Sequence, residues 1–224
     1  MTHPLDRPAW HALRSRQAYL AVGQGRALRY RSDHALFAAT EQDSPEDIAA
    51  LGALIREHGP AILLQTEAPE VPGTIVEKAA LGLQMIADTV VPPDPVADLL
   101  ELGDGDAPEM LALATLTEPG PFFTQTHRLG GFIGIRREGR LIAMAGERMK
   151  LAGYTEVSGV CTHPDYRGQG LAGALMRIVA ARILAAGETP FLHAYADNKG
   201  AIALYETLGF RPRREMAVRF LAPA

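Results

Sequence analysis

Val160-Cys161-Thr162-His163-Pro164-Asp165-Tyr166-Arg167-Gly168-Gln169-Gly170-Leu171-Ala172 joins a strand-like run, Tyr154 to Thr162, to a helix with apolar residues at Leu171, Leu175, Ile178, Val179 and Ile183. The nature of this junction decides the fold. Backbone N–H groups at the start of a helix carry partial positive charge and point at whatever lies beyond the end. Glycines at 168 and 170 let a diphosphate approach without Cβ clashes, and Arg167 can add a charge-assisted hydrogen bond. The plainer alternative is a helix start that needs glycine only for its turn.

Gly168, Gly170 and Gly173 also satisfy G-x-G-x-x-G, the dinucleotide fingerprint. That fingerprint follows the first strand of a doubly wound sheet directly, whereas His163 to Arg167 intervene here and an antiparallel hairpin comes before. The chain after Gly173 has room for one more helix and two strands, too little for the rest of that fold. A P-loop is excluded because no Lys-Ser or Lys-Thr follows the glycines.

Working outward, Phe132 to Arg136, a turn at Arg137-Glu138-Gly139 and Arg140 to Met149 predict a hairpin with both faces apolar, hence an interior strand pair. Gly187 closes the long helix, and Pro190 to Ala196 predicts a strand. Asp197-Asn198 caps a short helix, Ala201 to Leu208, which stops at Gly209-Phe210 before a last strand from Glu215 to Leu221. Upstream, Thr74 to Val91 predicts a strand or pair of strands. Val96 to Leu102 and Pro108 to Thr117 predict helices between the breakers Pro92-Pro93-Asp94-Pro95 and Glu118-Pro119-Gly120-Pro121. The first 73 residues predict a short helix around Ala9 to Leu20, strand-like pieces from Ala27 to Ala39, a helix from Ser44-Pro45 to Gly59 and a strand at Ala61 to Leu64. A proline-containing loop, Glu67 to Gly73, marks a subdomain boundary, dividing the chain into an N-terminal α/β extension, 1–73, and a main domain, 74–224.

The chain has 224 residues, 47% hydrophobic and 21% charged, with a formal net charge of −4, so a sizeable core can form and the excess of cations expected of a nucleic-acid binder is missing. The single cysteine, Cys161, excludes an intramolecular disulfide. Neither a signal-peptide apolar region nor a membrane-spanning run occurs, so a cytoplasmic protein with no membrane partner is expected. No metal is expected, because Cys161 and His163 have no further ligands nearby and H-E-x-x-H is absent.

The junction resembles the acetyl-CoA signature of the GNAT superfamily of N-acetyltransferases, (Arg or Gln)-x-x-Gly-x-(Gly or Ala), read here as Arg167-Gly168-Gln169-Gly170-Leu171-Ala172. Asn198, Ala201, Tyr205 and Leu208-Gly209-Phe210 are similar to that family's N-x-x-A-x-x-x-Y-x-x-x-G-F ending. The resemblance covers roughly Ile75 to the C-terminus. The wording of GGFIGIRREGRLIAMAGERM and EVSGVCTHPDYRGQG is similar to the branch related to glycine N-acyltransferase. The resemblance implies a mixed, mostly antiparallel sheet flanked by helices; residues 1–73 have no counterpart in that minimal fold and are expected to be a degenerate half-domain that extends the sheet or walls off the acceptor site. It also implies transfer of an acetyl group from acetyl-CoA to a primary amine of a small molecule or peptide. The alternatives are a non-catalytic acyl-CoA-binding regulator and a transferase of longer acyl chains.

The resemblance assigns residues as well. The strand before the turn splays from its neighbour and pairs with the pantetheine arm, with Val160, Cys161 and Thr162 as the contact positions and Val160 N–H as oxyanion donor. Arg167, Gly168, Gln169, Gly170, Leu171 and Ala172 hold the diphosphate, and Asn198 completes the cofactor set. Tyr205 is the general acid, against the alternative of an aromatic packed with Ile202 and Leu208. Glu156 and His193, with Glu147 behind them, are candidates for the base, each equally readable as a partner for Arg148 or a satisfied polar group. Cys161 is read as packing, since direct transfer needs no acyl-enzyme. Arg213-Arg214 can meet the adenosine 3′-phosphate or be a solvated pair.

Overall fold

A computed structural model describes residues 3–224. One sheet of 11 strands runs through the molecule in the order β1-β2-β3-β4-β11-β5-β10-β9-β8-β7-β6. In chain order these are β1 (Ala21–Val22), β2 (Ala27–Tyr30), β3 (Phe37–Thr40), β4 (Ala61–Gln65), β5 (Thr74–Ile86), β6 (Leu99–Leu102), β7 (Phe132–Arg137), β8 (Arg140–Leu151), β9 (Tyr154–Thr162), β10 (Thr189–Tyr195) and β11 (Arg211–Pro223). Only β3 with β4 and β9 with β10 are parallel; each such step needs a crossover, supplied by α2 (Pro45–His58) and α4 (Leu171–Ala185). The remaining helices are α1 (Pro8–Leu13), α3 (Ala107–Thr117) and α5 (Lys199–Thr207).

Alternation along the strands sorts side chains to two faces. On one face Leu5, in the turn before α1, and Trp10 and Leu13 of α1 pack against Ile62, Phe191 and Met216, and α3 buries Met110 and Leu113 against Phe132 and Met144. On the other, Leu51 and Ile55 of α2 cover Leu63 and Leu221, while Leu175, Val179 and Ile183 of α4 cover Ile133, Val157 and Leu192. Residues 3–73 thus continue the same sheet: β4 pairs with β11, and Leu5 and Trp10 share one core with Met149 and Phe191.

The predicted hairpin is β7–β8, turned by Glu138 (φ 52°) and Gly139 (φ 77°), the left-handed pair that matches the twist of its strands. Two expectations change and one is narrowed. Val96 to Leu102 is not helical; Leu99–Leu102 is the edge strand β6 on β7. A seven-residue segment behind three prolines forms a poor isolated helix, whereas the open edge of β7 satisfies its backbone groups. Thr74 to Val91 holds one strand, β5, ending at Ile86. The N-terminal helix covers only Pro8–Leu13, followed by a separate helical turn at Ala18–Leu20.

Candidate active site

The parallel pairing of β9 with β10 covers Tyr154, Thr155 and Glu156 opposite Thr189, Pro190 and Phe191 and then stops. Beyond it β10 stays with β5 as far as Tyr195, while β9 follows β8, so the two strands part. A bulge adds to the divergence. Ala145 of β8 faces both Gly159 and Val160, since Met144 pairs with Cys161 and Gly146 with Ser158. Gly159 holds φ 63°, and a Cβ there would lie 2.7 Å from Phe132 Cε1, so the bulge requires glycine. The cleft lays bare the β10-facing backbone edge of β9 from Val157 to Thr162.

At the end of β9 the chain makes a short turn, Pro164–Tyr166, and enters α4 through Gly168 (φ 76°) and Gly170 (φ 73°). Apart from the adjoining backbone, no atom of the described residues lies within 4 Å of where a Cβ on either glycine would stand, so the space above the turn is open. Gly170 caps α4 without a side-chain hydrogen bond, and the first turn carries no acidic residue. The end keeps its positive character and its free N–H groups.

A cavity of about 640 Å³ lies over this turn. Of the expected cofactor residues, Val160, Cys161, Thr162, Arg167, Gly168, Gly170, Leu171 and Ala172 line it. Gln169 does not; its Oε1 accepts from Arg137 Nη1 at 3.0 Å. Asn198 Oδ1 accepts from Ala201 N at 3.1 Å, capping α5, and Asn198 lines a second cavity of about 410 Å³. The two cavities share Thr117, Pro119, Val160, Ala172 and Leu204, so they meet across the cleft between β9 and β10.

Tyr205 lines the second cavity, and burial raises its phenol above the ordinary value, so it stays protonated at neutral pH. Its hydroxyl has no hydrogen-bond partner among the described residues, although the ring packs against the α4 core as the plainer reading expected. Cys161 is buried with Met144 and Phe132, and burial pushes its thiol up to about 11, which leaves it no thiolate for attack.

Glu156 is fully buried and fully engaged. Arg148 donates to it through Nε (2.8 Å) and Nη2 (2.7 Å), Met149 N through 3.3 Å, and His193 Nδ1 lies 2.7 Å from Oε1. Burial opposes its charge, but Arg148 and His193 outweigh this and hold the carboxyl at about 2. Glu156 therefore lies beneath the cavity as an anchor, with no lone pair turned toward an amine. His193 does line the cavity. Its state follows from its neighbours: Arg213 Nη1 donates to Gln84 Oε1 (2.7 Å), so the Gln84 amide donates to Leu5 O (2.9 Å) and to His193 Nε2 (3.0 Å). Nδ1–H must then face Glu156. Glu147 is occupied by Lys150 Nζ (2.6 Å) and Gly131 N (3.1 Å). Of Arg213-Arg214, Arg213 is not solvated, because its Nη2 donates to Asp6 at 2.6 Å and its Nη1 to Gln84, whereas Arg214 is exposed, 3.7 Å from the same carboxylate.

Sequence reasoning missed several wall residues. Arg177 lines the first cavity with a buried Nε that has no hydrogen-bond partner among the described residues; an arginine midway along the apolar stretch LAGALMRIVAARIL was the available signal. Phe37, Ile62 and Leu64 of the first 73 residues wall the second cavity, as do Val218 and Phe220, and nothing distinguishes them in sequence from core. Glu118 stands at that cavity in a left-handed conformation (φ 48°) before Pro119, an uncommon backbone state held at a site.

A family model described as FR47-like protein matches residues 132–219. The chain is 46% identical, over the whole of both chains, to a crystal structure assigned to the GNAT family of acetyltransferases from Novosphingobium aromaticivorans DSM 12444, with a TM-score of 0.93. A GCN5-related N-acetyltransferase from Kribbella flavida shares the fold at 18% identity, with 97% of this chain and 93% of that one covered and a TM-score of 0.64. A GNAT-family acetyltransferase from Colwellia psychrerythraea does so at 16% identity, 88% and 80% coverage and a TM-score of 0.54. Curated proteins gave no match. No helix among the described residues is long and apolar enough to cross a membrane. With its cleft, its glycine turn and a relative of near-half identity over its full length, the chain belongs to the GNAT family of acetyltransferases.

Proposed function

We propose that the protein transfers the acetyl group of acetyl-CoA directly to a primary amine of a small molecule. The observation that carries this reading is the cleft: a bare strand edge, an uncapped helix start and a second cavity meet at Val160. The diphosphate rests on the first-turn amides of α4 with Arg167 beside it, and the pantetheine arm runs along β9 as an added strand would. The thioester then lies at the meeting point of the cavities, with the amine entering from the second.

The neutral amine attacks the carbonyl carbon, and Val160 N–H, beside the bulge, stabilises the oxyanion. As the C–S bond breaks, Tyr205 gives its proton to the sulfur and recovers one from water. The extra proton on the new amide nitrogen leaves through water in the cavity. Glu156 and His193 act as positioning residues: their hydrogen bonds are spent on each other, on Arg148 and on Gln84. Residues 1–73 serve the acceptor side, since Phe37, Ile62 and Leu64 wall the second cavity and not the first.

The test is release of free thiol from acetyl-CoA across a panel of amines and amino acids, with the acetylated product identified by mass. Turnover with at least one amine is expected. Tight acetyl-CoA binding without turnover on any member would convert the reading to a binding protein.

A further inference from the structure

Arg148 is the one guanidinium of the second cavity, and only half of it is used. Its Nε and Nη2 fork holds Glu156, while Nη1 has no hydrogen-bond partner among the described residues. The group is held stiffly. Glu156 is itself fixed by His193 and Met149 N, and the guanidinium carbon sits 4.7 Å from the centroid of the Phe37 ring. Behind it the polar row continues across the sheet, from His193 on β10 to Gln84 on β5, Arg213 on β11 and Asp6. Only the side chain of Arg148 brings this row a cation at the cavity, and with Glu156 paired to it the local charge is balanced before any ligand arrives.

A guanidinium has five N–H donors in a planar fork and can bridge two carboxylates, one on each edge. Here one edge is filled by the protein, and the residue borders a cavity whose wall from β3, β4 and β11 is apolar, formed by Phe37, Ile62, Leu64, Val218 and Phe220, with Glu118, Tyr195 and Asn198 on other sides. We infer that the acceptor is an amine that also carries a carboxylate, seated on the Nη1 edge of Arg148, with an apolar substituent against this wall. The class is a free amino acid with an apolar side chain. A peptide N-terminus has an amide where this carboxylate would be. The inference rests on the acetyl-transfer reading above for the fate of the amine, but the carboxylate seat itself does not.

Two arms separate these dependencies. In the first, wild-type protein and acetyl-CoA are given phenylalanine, phenethylamine and phenylalaninamide, and leucine beside 3-methylbutylamine, with thiol release as readout. A charge-assisted hydrogen bond of this kind predicts a kcat/KM about 10- to 100-fold higher for the carboxylated member of each set. In the second arm, 3-phenylpropionate and 3-phenylpropanol, which cannot be acetylated on nitrogen, are titrated in the presence of CoA and the melting temperature is followed. The acid is expected to stabilise the wild type and the alcohol to have little effect. Arg148→Lys keeps a positive charge beside Glu156 but lacks the second edge, so it should lose the preference in both arms.

If amines are acetylated with no preference for the carboxylated member, the carboxylate seat is wrong and the transfer reading stands. If no amine is acetylated yet 3-phenylpropionate stabilises the wild type and the alcohol does not, the seat stands and the transfer reading has failed. Equal effects of acid and alcohol would overturn the seat. Should Arg148→Lys fail to fold, the two wild-type comparisons still decide.

Discussion

The molecule makes the same parallel step twice, β3–α2–β4 near one edge of the sheet and β9–α4–β10 near its centre, and only one of the two ends in a ligand-ready turn. The α2 start is closed. Ser44 Oγ accepts from Asp47 N at 3.2 Å, Pro45 contributes no N–H, Glu46 and Asp47 place acids in the first turn, and Arg26 pairs with Asp47 at 2.9 Å. The α4 start has Gly170 as cap, no side-chain cap bond and no first-turn acid. Both helices carry the same dipole, so the dipole alone does not make an anion site. What differs is whether the protein has already spent its end groups on itself.

The strands sharpen the contrast. At α4 the flanking pair part after Glu156 and Phe191, which creates a cleft for a ligand's extended arm. At α2 the flanking pair are walled into the sheet between β2 and β11, and Phe37, Ile62 and Leu64 line the second cavity. One unit presents backbone to a ligand, the other presents an apolar surface.

Closing the open end should have the largest effect. Gly170→Glu places a carboxylate at the open end of α4, much as Glu46 and Asp47 place acids in the first turn of α2, and adds strain because the backbone there is left-handed (φ 73°). Acetyl-CoA affinity measured by titration calorimetry is expected to fall about 100-fold or more with the fold retained. Unchanged affinity in a folded variant would remove the diphosphate from this turn.

Next in size is Tyr205, which belongs to the helix that follows the β9–α4–β10 unit. Tyr205→Phe keeps the ring packed against α4 and deletes only the hydroxyl of a residue that lines the second cavity. A thiolate leaves tolerably well without an acid, so kcat should fall about 10- to 1000-fold while acetyl-CoA affinity and thermal stability stay near normal. Undiminished turnover at saturating acetyl-CoA would make the residue packing only.

The glycine turn, the hairpin, the capping of α5 by Asn198 and both crossover helices were legible in sequence because each is set by local chemistry: positive φ, a side-chain cap, a period of 3.6 or 2. The Val96 to Leu102 segment was misread because short apolar runs fit either period and the deciding partner, the edge of β7, lies far along the chain. The same reason hid the acceptor wall. Phe37, Ile62 and Leu64 carry no mark that separates a cavity wall from core, and the engagement of Glu156 by Arg148, His193 and Met149 depends on three strands meeting.

Acid tests that meeting point against the rest of the fold. The Glu156 carboxyl is held at about 2, below its ordinary 4.5, so the stability it contributes is fully present above the ordinary value and is lost as pH falls toward 2. The difference in unfolding free energy between wild type and Glu156→Gln, followed by chemical denaturation, should therefore shrink as pH is lowered from 6 toward 3, about where unfolded glutamates take up protons. A difference that holds constant over that range would mean that packing, not the ion pair with Arg148, sets the cost of the substitution.

The smallest expected effect is the reciprocal of the first, and it asks whether opening an end is enough. Ser44→Ala removes the α2 cap and frees Asp47 N, at an expected cost of about 0.5–2 kcal/mol. For a chain of this size that is a fall of about 1–8 °C in melting temperature. Acetyl-CoA affinity should not change, because this end is far from sufficient as a site. Pro45 still withholds one N–H, the acids Glu46 and Asp47 still oppose an anion, and β3 and β4 offer no parted edge for an extended arm. Adding Glu46→Gln and Asp47→Asn to the same variant removes the opposing charge as well. If a second equivalent of acetyl-CoA then bound, an uncapped helix start would be enough by itself, and the divergence of β9 from β10 would lose its place in the argument. One equivalent, bound as tightly as before, places the decisive difference in the strands.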